Sequence, residues 1–344
     1  MTKVSVLMPC YNAERYIRDS IESILRQTHR DLELIVVNDG STDRSADIAA
    51  EYESSGVKLI TQNNRGQCAA ANQAFNASSG ELVKFFDADD ILSPDHVALQ
   101  VARLEGCRDA IAMGEWARFR GDDSEAARFG PLSMYRDADP VDWLASEWMN
   151  ARPMMQCGLW LIPRAIVECS GLWNESLSLL NDFEYFARVL LNASEILYTP
   201  GARLYYRSGI AGSLSGAKTR KAVESEFISL LLGTGHLLAV EDSVRTRRAC
   251  ANMLLNFDYT FYPEHADLRA KARARVAELG GADLEPDGPP GFHHLRLLIG
   301  WRAARLIQRL RDLVRIGLTN APRNRRGYSG QHSSMPTAGS DEAP

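Results

Sequence analysis

The chain has 344 residues, a formal net charge of 39 − 44 = −5, and apolar and charged fractions of 45% and 24%. That length fits one large domain or two smaller ones with ample core, and the slightly acidic balance carries no signature for binding a nucleic acid polymer. Six widely spaced cysteines (10, 68, 107, 157, 169 and 250) and a start that runs straight into Val4-Ser5-Val6-Leu7-Met8 lead to the expectation of a cytosolic protein with reduced thiols and no secretory signal.

Strand and helix patterns alternate through the first ninety residues. Val4–Met8 is a strand-like run that Pro9 ends, and Ile17, Ile21, Ile24 and Leu25 recur at helical spacing. Leu32–Val37 is a second apolar run, followed by the turn cluster Asn38-Asp39-Gly40-Ser41-Thr42-Asp43 and a short helix to Tyr52. Strand Val57–Thr61 precedes a small-residue helix from Gly66 that Gly80 closes, and Leu82–Phe86 is the fourth strand. Near-continuous apolar runs alternating with helices predict a mostly parallel sheet covered on both faces. Beyond Pro94 come a helix to about Glu105, strands Ala110–Met113 and Trp116–Phe119, and a polar loop over 120–140. Asn181-Asp182 opens a helix over Phe183–Leu191, and strands near Ile196–Tyr198 and Arg203–Arg207 lead to a Ser/Gly segment, Gly209–Gly216. Residues 218–280 read as all-helical, Pro286–Gly291 as a linker, 293–318 as one more helix, and the tail from Asn320 as disordered. The apolar stretch Phe227–Val240, broken by Ser229, Thr234 and His236, reads as too short to span a bilayer.

The sharpest chemical signal is Lys84-Phe85-Phe86-Asp87-Ala88-Asp89-Asp90, three carboxylates at the carboxyl end of a buried strand, where open α/β sheets bind ligands. Such a cluster needs a cation or hydrogen-bond donors to offset repulsion, and Mg²⁺ is commonly held by one or two carboxylates plus substrate phosphates. The competing reading is a turn with a helix cap before Ser93-Pro94.

Together with Ser5-Val6-Leu7-Met8-Pro9-Cys10-Tyr11-Asn12 and Glu14, Val36-Val37-Asn38-Asp39-Gly40-Ser41-Thr42-Asp43, Asn64-Arg65-Gly66 with Asn72, and Asn181-Asp182, this motif resembles the family-2 glycosyltransferases of the GT-A fold. The resemblance covers about residues 3–210 and implies an inverting, metal-dependent transferase moving a sugar from a nucleotide-diphosphate donor, usually a UDP-sugar, to an acceptor hydroxyl in glycan or polysaccharide synthesis. It implies a GT-A catalytic domain over 1–216 (donor half about 1–115, acceptor half about 116–216), and the residue pattern beyond it reads as a helical region over 217–318 and a disordered tail over 319–344. Pro9, Tyr11, Asn12, Glu14, Asp39, Arg65 and Asp87 would then surround the nucleotide, and Asp89, with Asp87, would hold Mn²⁺ or Mg²⁺. Asp182 would be the general base, and Arg207 and Ser213 would lie near the diphosphate.

Plainer roles stay open beside these: an Asx turn for Asp39, a helix cap for Glu14, Asp90 or Asp182, packing for Tyr11, and strand-end solvation for Arg207. The chain departs from the family at Asn181, where Glu is common, and at Ala71, where Arg often precedes Asn72. D-x-D also opens the aspartyl phosphatases, but those want Thr or Val where this chain has Ile91. A sugar-nucleotide binder without catalysis is a further alternative, against which intact Asp87, Asp89 and Asp182 weigh. On 293–318, Leu295, Ile299, Leu306, Leu310 and Leu313 line one face, flanked by Arg296, Arg305, Arg309, Arg311 and Arg315 and interrupted by Arg302. That pattern fits a helix docked on its own domain or one lying on the inner face of a membrane.

Overall fold

The computed structural model describes residues 2–151, 154–210 and 219–319. Ser213 and the tail from Asn320 lie outside the described residues, as do the side chains of Leu313 and Arg315. The first half follows the predicted alternation: β1 (Val4–Cys10), α1 (Ile17–Leu25), β2 (Leu32–Asn38), α2 (Ser45–Ala50), β3 (Val57–Thr61), α3 (Gln67–Asn76) and β4 (Leu82–Phe85). β1 pairs in parallel with β2 on one side and β4 on the other. The chain thus reverses its direction of sheet growth between β1 and β4, the switch point at which such sheets leave a crevice for ligands.

β1 does not stop at Pro9 but continues to Cys10, opposite Asn38. Cys10 turns its carbonyl to β2, where it accepts from the amide of Asp39 at 2.8 Å, so the alternating backbone of Pro9 faces the β4 side. Pairing with β4 has already ended at Leu7–Phe85, so the missing N–H of Pro9 breaks no ladder bond.

The second half comprises β5 (Ile91–Leu92), α4 (His96–Arg103), β6 (Ala110–Arg120), α5 (Pro140–Met149), β7 (Trp160–Pro163), α6 (Arg164–Ser170), α7 (Asn181–Leu190) and β8 (Glu195–Ser208). The eight strands among the described residues form one sheet in the order β3-β2-β1-β4-β7-β6-β8-β5. The two short strands read over 110–119 are one strand, β6, with a register shift at Gly114 against its parallel partner β8. Only glycine fits there, because a Cβ would lie 2.6 Å from the carbonyl oxygen of Ala202. The two strands read over 196–207 likewise merge into β8.

Helices α8 (Arg220–Val240), α9 (Val244–Thr260) and α10 (Ala266–Glu278) follow. α8 has 21 residues and a mean hydropathy of 1.3, so by length and composition it could cross a membrane, contrary to the shorter stretch read from the sequence. Its small residues instead face α7: Ser225 and Ser229 donate to the carbonyls of Leu179 and Leu180 at 3.0 and 2.6 Å. Residues Met1–Pro286 form one compact unit, and those from Asp287 form a second. The second unit contains α11 (Phe292–Thr319), which is not one continuous helix: Gly300, at φ 78° and ψ 156°, interrupts it.

Candidate active site

The acids after β4 stand at the switch point, and one carboxylate oxygen from each of Asp87, Asp89 and Asp90 lies within 4.8 Å of the other two. Neutral amides make this crowding tolerable. Gln67, at the start of α3, donates to Asp87 Oδ1 at 2.9 Å. Gln156, just before β7, donates to Asp87 Oδ2 at 3.1 Å and to Asp90 Oδ2 at 2.7 Å, while its Oε1 accepts from the Gly158 amide at 2.6 Å. Asp90 is wholly buried and also accepts from the Arg207 amide at 2.8 Å, so it is neither a cap nor an open ligand but a tie between the acidic turn and β8.

Burial and mutual repulsion push these carboxyls upward: Asp89 to about 7, through burial and then the charge of Asp87, and Asp90 well above the ordinary range through burial, Asp89 and Asp87. Asp87 is raised by burial, which the Gln156, Cys157 and Gln67 bonds oppose. The set suits a hard divalent cation: all donors are oxygens, and among the described residues the Asp89 carboxylate has no hydrogen-bond partner.

Asp182 sits in the first turn of α7, where burial and the charge of Asp87 raise its carboxyl well above the ordinary range. Its Oδ1 is buried with no partner among the described residues, and no side-chain hydrogen bond caps the start of α7. The residue before it links it to Asp87. Asn181 accepts from the Asp182 amide at 2.9 Å and donates to Gln67 Oε1 at 3.2 Å, and Gln67 in turn holds Asp87. An Asn where the resemblance implied Glu therefore joins the two acids through neutral amides without adding a further charge. Leu180, ahead of it, has φ 61°, a left-handed conformation that costs about 1–2 kcal/mol and that the Ser229 bond to its carbonyl helps to hold.

The loops after β1 and β2, expected around a nucleotide, are bound to each other. Asn12 accepts from the Thr42 amide at 2.8 Å, and Glu14 accepts from the Arg44 amide at 3.0 Å, ahead of α2, as a cap would. Asp39 is buried and accepts from Gln62 at 2.7 Å and from the amides of Arg65 and Gly66 at 2.9 and 2.8 Å. Tyr11, by contrast, is 51% exposed, and Pro9 is half-buried. Arg65 pairs with Glu175 at 2.7 Å, and Asn72 bonds Glu175 and the backbone of Trp173, so both brace the 173–175 turn.

Arg207, expected at the diphosphate, is buried against the acidic turn. Its guanidinium donates to the carbonyls of Asp89 and Gly121, pairs with Asp19 and Asp122, and lies 4.7 and 4.6 Å from the rings of Tyr16 and Phe119. Sequence reasoning missed Gln67, Gln156 and Cys157. A lone amide or thiol outside any motif carries no periodic signal, and only the fold brings these to Asp87.

A curled, mostly parallel sheet with a carboxylate cluster at its switch point and a second acid on a facing helix defines the GT-A class of nucleotide-sugar-binding folds. Residues 5–171 match the model for Glycosyl transferase family 2. Among curated relatives, the putative glycosyltransferase EpsH of Bacillus subtilis is 45% identical over 136 residues, 39% of each chain. An Escherichia coli protein named UDP-Glc:alpha-D-GlcNAc-diphosphoundecaprenol beta-1,3-glucosyltransferase WfgD is 37% identical over 102 residues, 29% of this chain and 40% of the other. The chain spans 17%, 35% and 39% of the length of three such relatives. Among solved structures, S. aureus TarS 1-349 superposes with a TM-score of 0.63 at 19% identity over 80% of both chains, a likeness of fold. The same fragment solved in complex with UDP-GlcNAc gives 0.57 at 18% identity over 80% of this chain and 89% of that one.

Proposed function

We propose that this protein transfers a sugar from a UDP-sugar to an acceptor hydroxyl with inversion, in glycan or polysaccharide synthesis. The observation that carries this reading is the pair of differently poised acid sites, the Asp87–Asp89 cluster and the unpartnered Asp182 Oδ1, joined through Gln67 and Asn181. Asp39 and the exposed Tyr11 line the nucleotide side, and a UDP-GlcNAc complex of the structural neighbour supports the donor class. Asp89 and Asp87 would hold Mn²⁺ or Mg²⁺, which would offset the charge that develops on the leaving diphosphate. Asp182 Oδ1 takes the proton of the acceptor hydroxyl as its oxygen attacks the anomeric carbon, and burial raises the proton affinity of that carboxylate. A single displacement needs one base and no protein nucleophile, hence inversion.

We also propose that the leucines and arginines of 293–318 rest on the inner, anionic face of a membrane, in line with a cytosolic enzyme acting on a surface-glycan acceptor. Release of UDP, measured across a panel of UDP-sugars with and without Mn²⁺, tests the reaction. Release of inorganic phosphate instead, or no metal dependence, rejects it. Proton NMR of the new linkage decides between inversion and retention.

A further inference from the structure

Beyond the acid cluster, β6 and β8 carry an outward face that the reaction described above does not use. Trp116, Arg118 and Arg120 alternate along β6 with buried Ala117 and Phe119, and in the parallel register Arg118 stands beside Tyr206 and Arg120 beside Ser208. The rings of Trp116 and Tyr206 meet edge to face at 6.3 Å, and the Arg118 guanidinium lies 5.8 and 5.6 Å from them. Among the described residues neither Arg118 nor Arg120 pairs with a carboxylate, although the protein is net acidic and pairs most of its other arginines. The indole Nε1 of Trp116 is buried without an acceptor, while Tyr135 clamps the Trp116 backbone through bonds of 2.8 and 3.1 Å.

This face adjoins the reacting centre. Leu204, one step back along the same face of β8, packs at Gly158, where an added Cβ would lie 3.1 Å from Leu204 and 3.0 Å from Gln156 Oε1. Gln156 is the residue that holds Asp87 and Asp90, so Tyr206 stands next to the acids. Burial and the charges of Asp90, Asp87 and Asp89 accordingly push its hydroxyl up to about 12. The path from the acids therefore runs over an aromatic platform to two arginines whose Cα atoms stand about 7 Å apart, the spacing of alternate residues on a strand.

We infer that Trp116, Tyr206, Arg118 and Arg120 form an acceptor subsite for a sugar bearing an anionic group, either a phosphate or a carboxylate. The sugar ring packs on the aromatic faces and the arginines bind the charge. The inference rests on the glycosyltransferase reading for the word acceptor, but binding itself can be measured independently of turnover.

Saturation-transfer NMR on the full chain, with UDP and Mn²⁺ saturating, compares methyl glucoside, glucose 6-phosphate and methyl glucuronide. Wild type should bind at least one charged sugar tenfold or more tighter than the neutral one, and which one identifies the anion. Both arginines are exposed, so the Arg118→Ala/Arg120→Ala double variant should fold, keep its UDP affinity and lose the preference. Trp116→Leu should weaken all three sugars together. Equal binding of charged and neutral sugars, no binding by wild type, a preference that survives in the double variant, or a fall in UDP affinity there would each overturn the subsite. If wild type fails to bind UDP, the donor reading fails, and the same sugar comparison without UDP still decides the subsite.

Discussion

Asp87 accepts one amide hydrogen on each oxygen, from Gln67 and from Gln156, and the second amide is shared with Asp90. Hydrogen bonds to a charged group are worth about 1.5–3 kcal/mol each, so Gln156→Ala should weaken Mn²⁺-supported UDP binding by roughly ten- to a hundredfold. Gln156→Glu adds a further carboxylate and should abolish that binding, and calorimetric titration of both variants measures the effect. Asp182 yields a sign for the pH dependence. Its carboxyl is raised by burial and by Asp87, and a general base works only when deprotonated. Turnover should therefore rise with pH along a limb well above the ordinary carboxylate range. Asp182→Asn should remove that limb and cost about 10²–10⁴ in rate while leaving UDP affinity intact.

At the scale of elements, the position of Asp182 depends on how closely α7 meets α8. Gly233 permits that approach, since a Cβ there would fall 2.5 Å from the Phe183 ring, the residue next to Asp182. Gly233→Ala should force the helices apart, lowering stability by about 1–3 kcal/mol in urea denaturation and reducing turnover more than UDP binding. Between β4 and β7, Lys84 is wholly buried and donates to the carbonyls of Gly158 and Trp160 at 2.8 and 3.0 Å. Burial lowers its pKa to about 7 from an ordinary 10.5. Below about 7 both folded and unfolded states are protonated, and the full cost of the buried charge is present. From about 7 to 10.5 only the unfolded state holds the proton, so stability rises with pH across that window. The stability difference between wild type and Lys84→Met should move in favour of wild type between those pH values. A pH-independent difference would show that Lys84 is not titrating there.

For the whole molecule, every described site residue lies within the unit Met1–Pro286. Truncation after Pro286 should leave UDP affinity within a factor of two while removing the arginine-rich α11. Each basic residue near an anionic surface contributes about 1 kcal/mol. Full-length protein should therefore float with anionic vesicles in a salt-sensitive way and the truncated form should not. Equal flotation of the two, or none by either, would end the membrane reading.

The alternation of β1 to β4 with α1 to α3 was legible in the sequence because buried parallel strands are continuous apolar runs and their helices keep a 3.6-residue period. The acids Asp39, Asp87, Asp89 and Asp182 were legible because motifs place them at strand and helix ends. From about 110 onward the same reasoning lost resolution. β6 reads as two strands because Gly114 bulges it, α11 reads as one helix although Gly300 breaks it, and β7 is four buried residues with no period to detect. Tertiary structure alone decided what surrounds each acid. Gln156 follows Asp87 by sixty-nine positions and Asn181 follows Gln67 by one hundred and fourteen, separations that no local pattern encodes. It also decided that Arg207 is buried against the acidic turn while Arg118 and Arg120 stay open. On a strand alternate residues face opposite sides, and which side meets the core is settled only when the sheet packs.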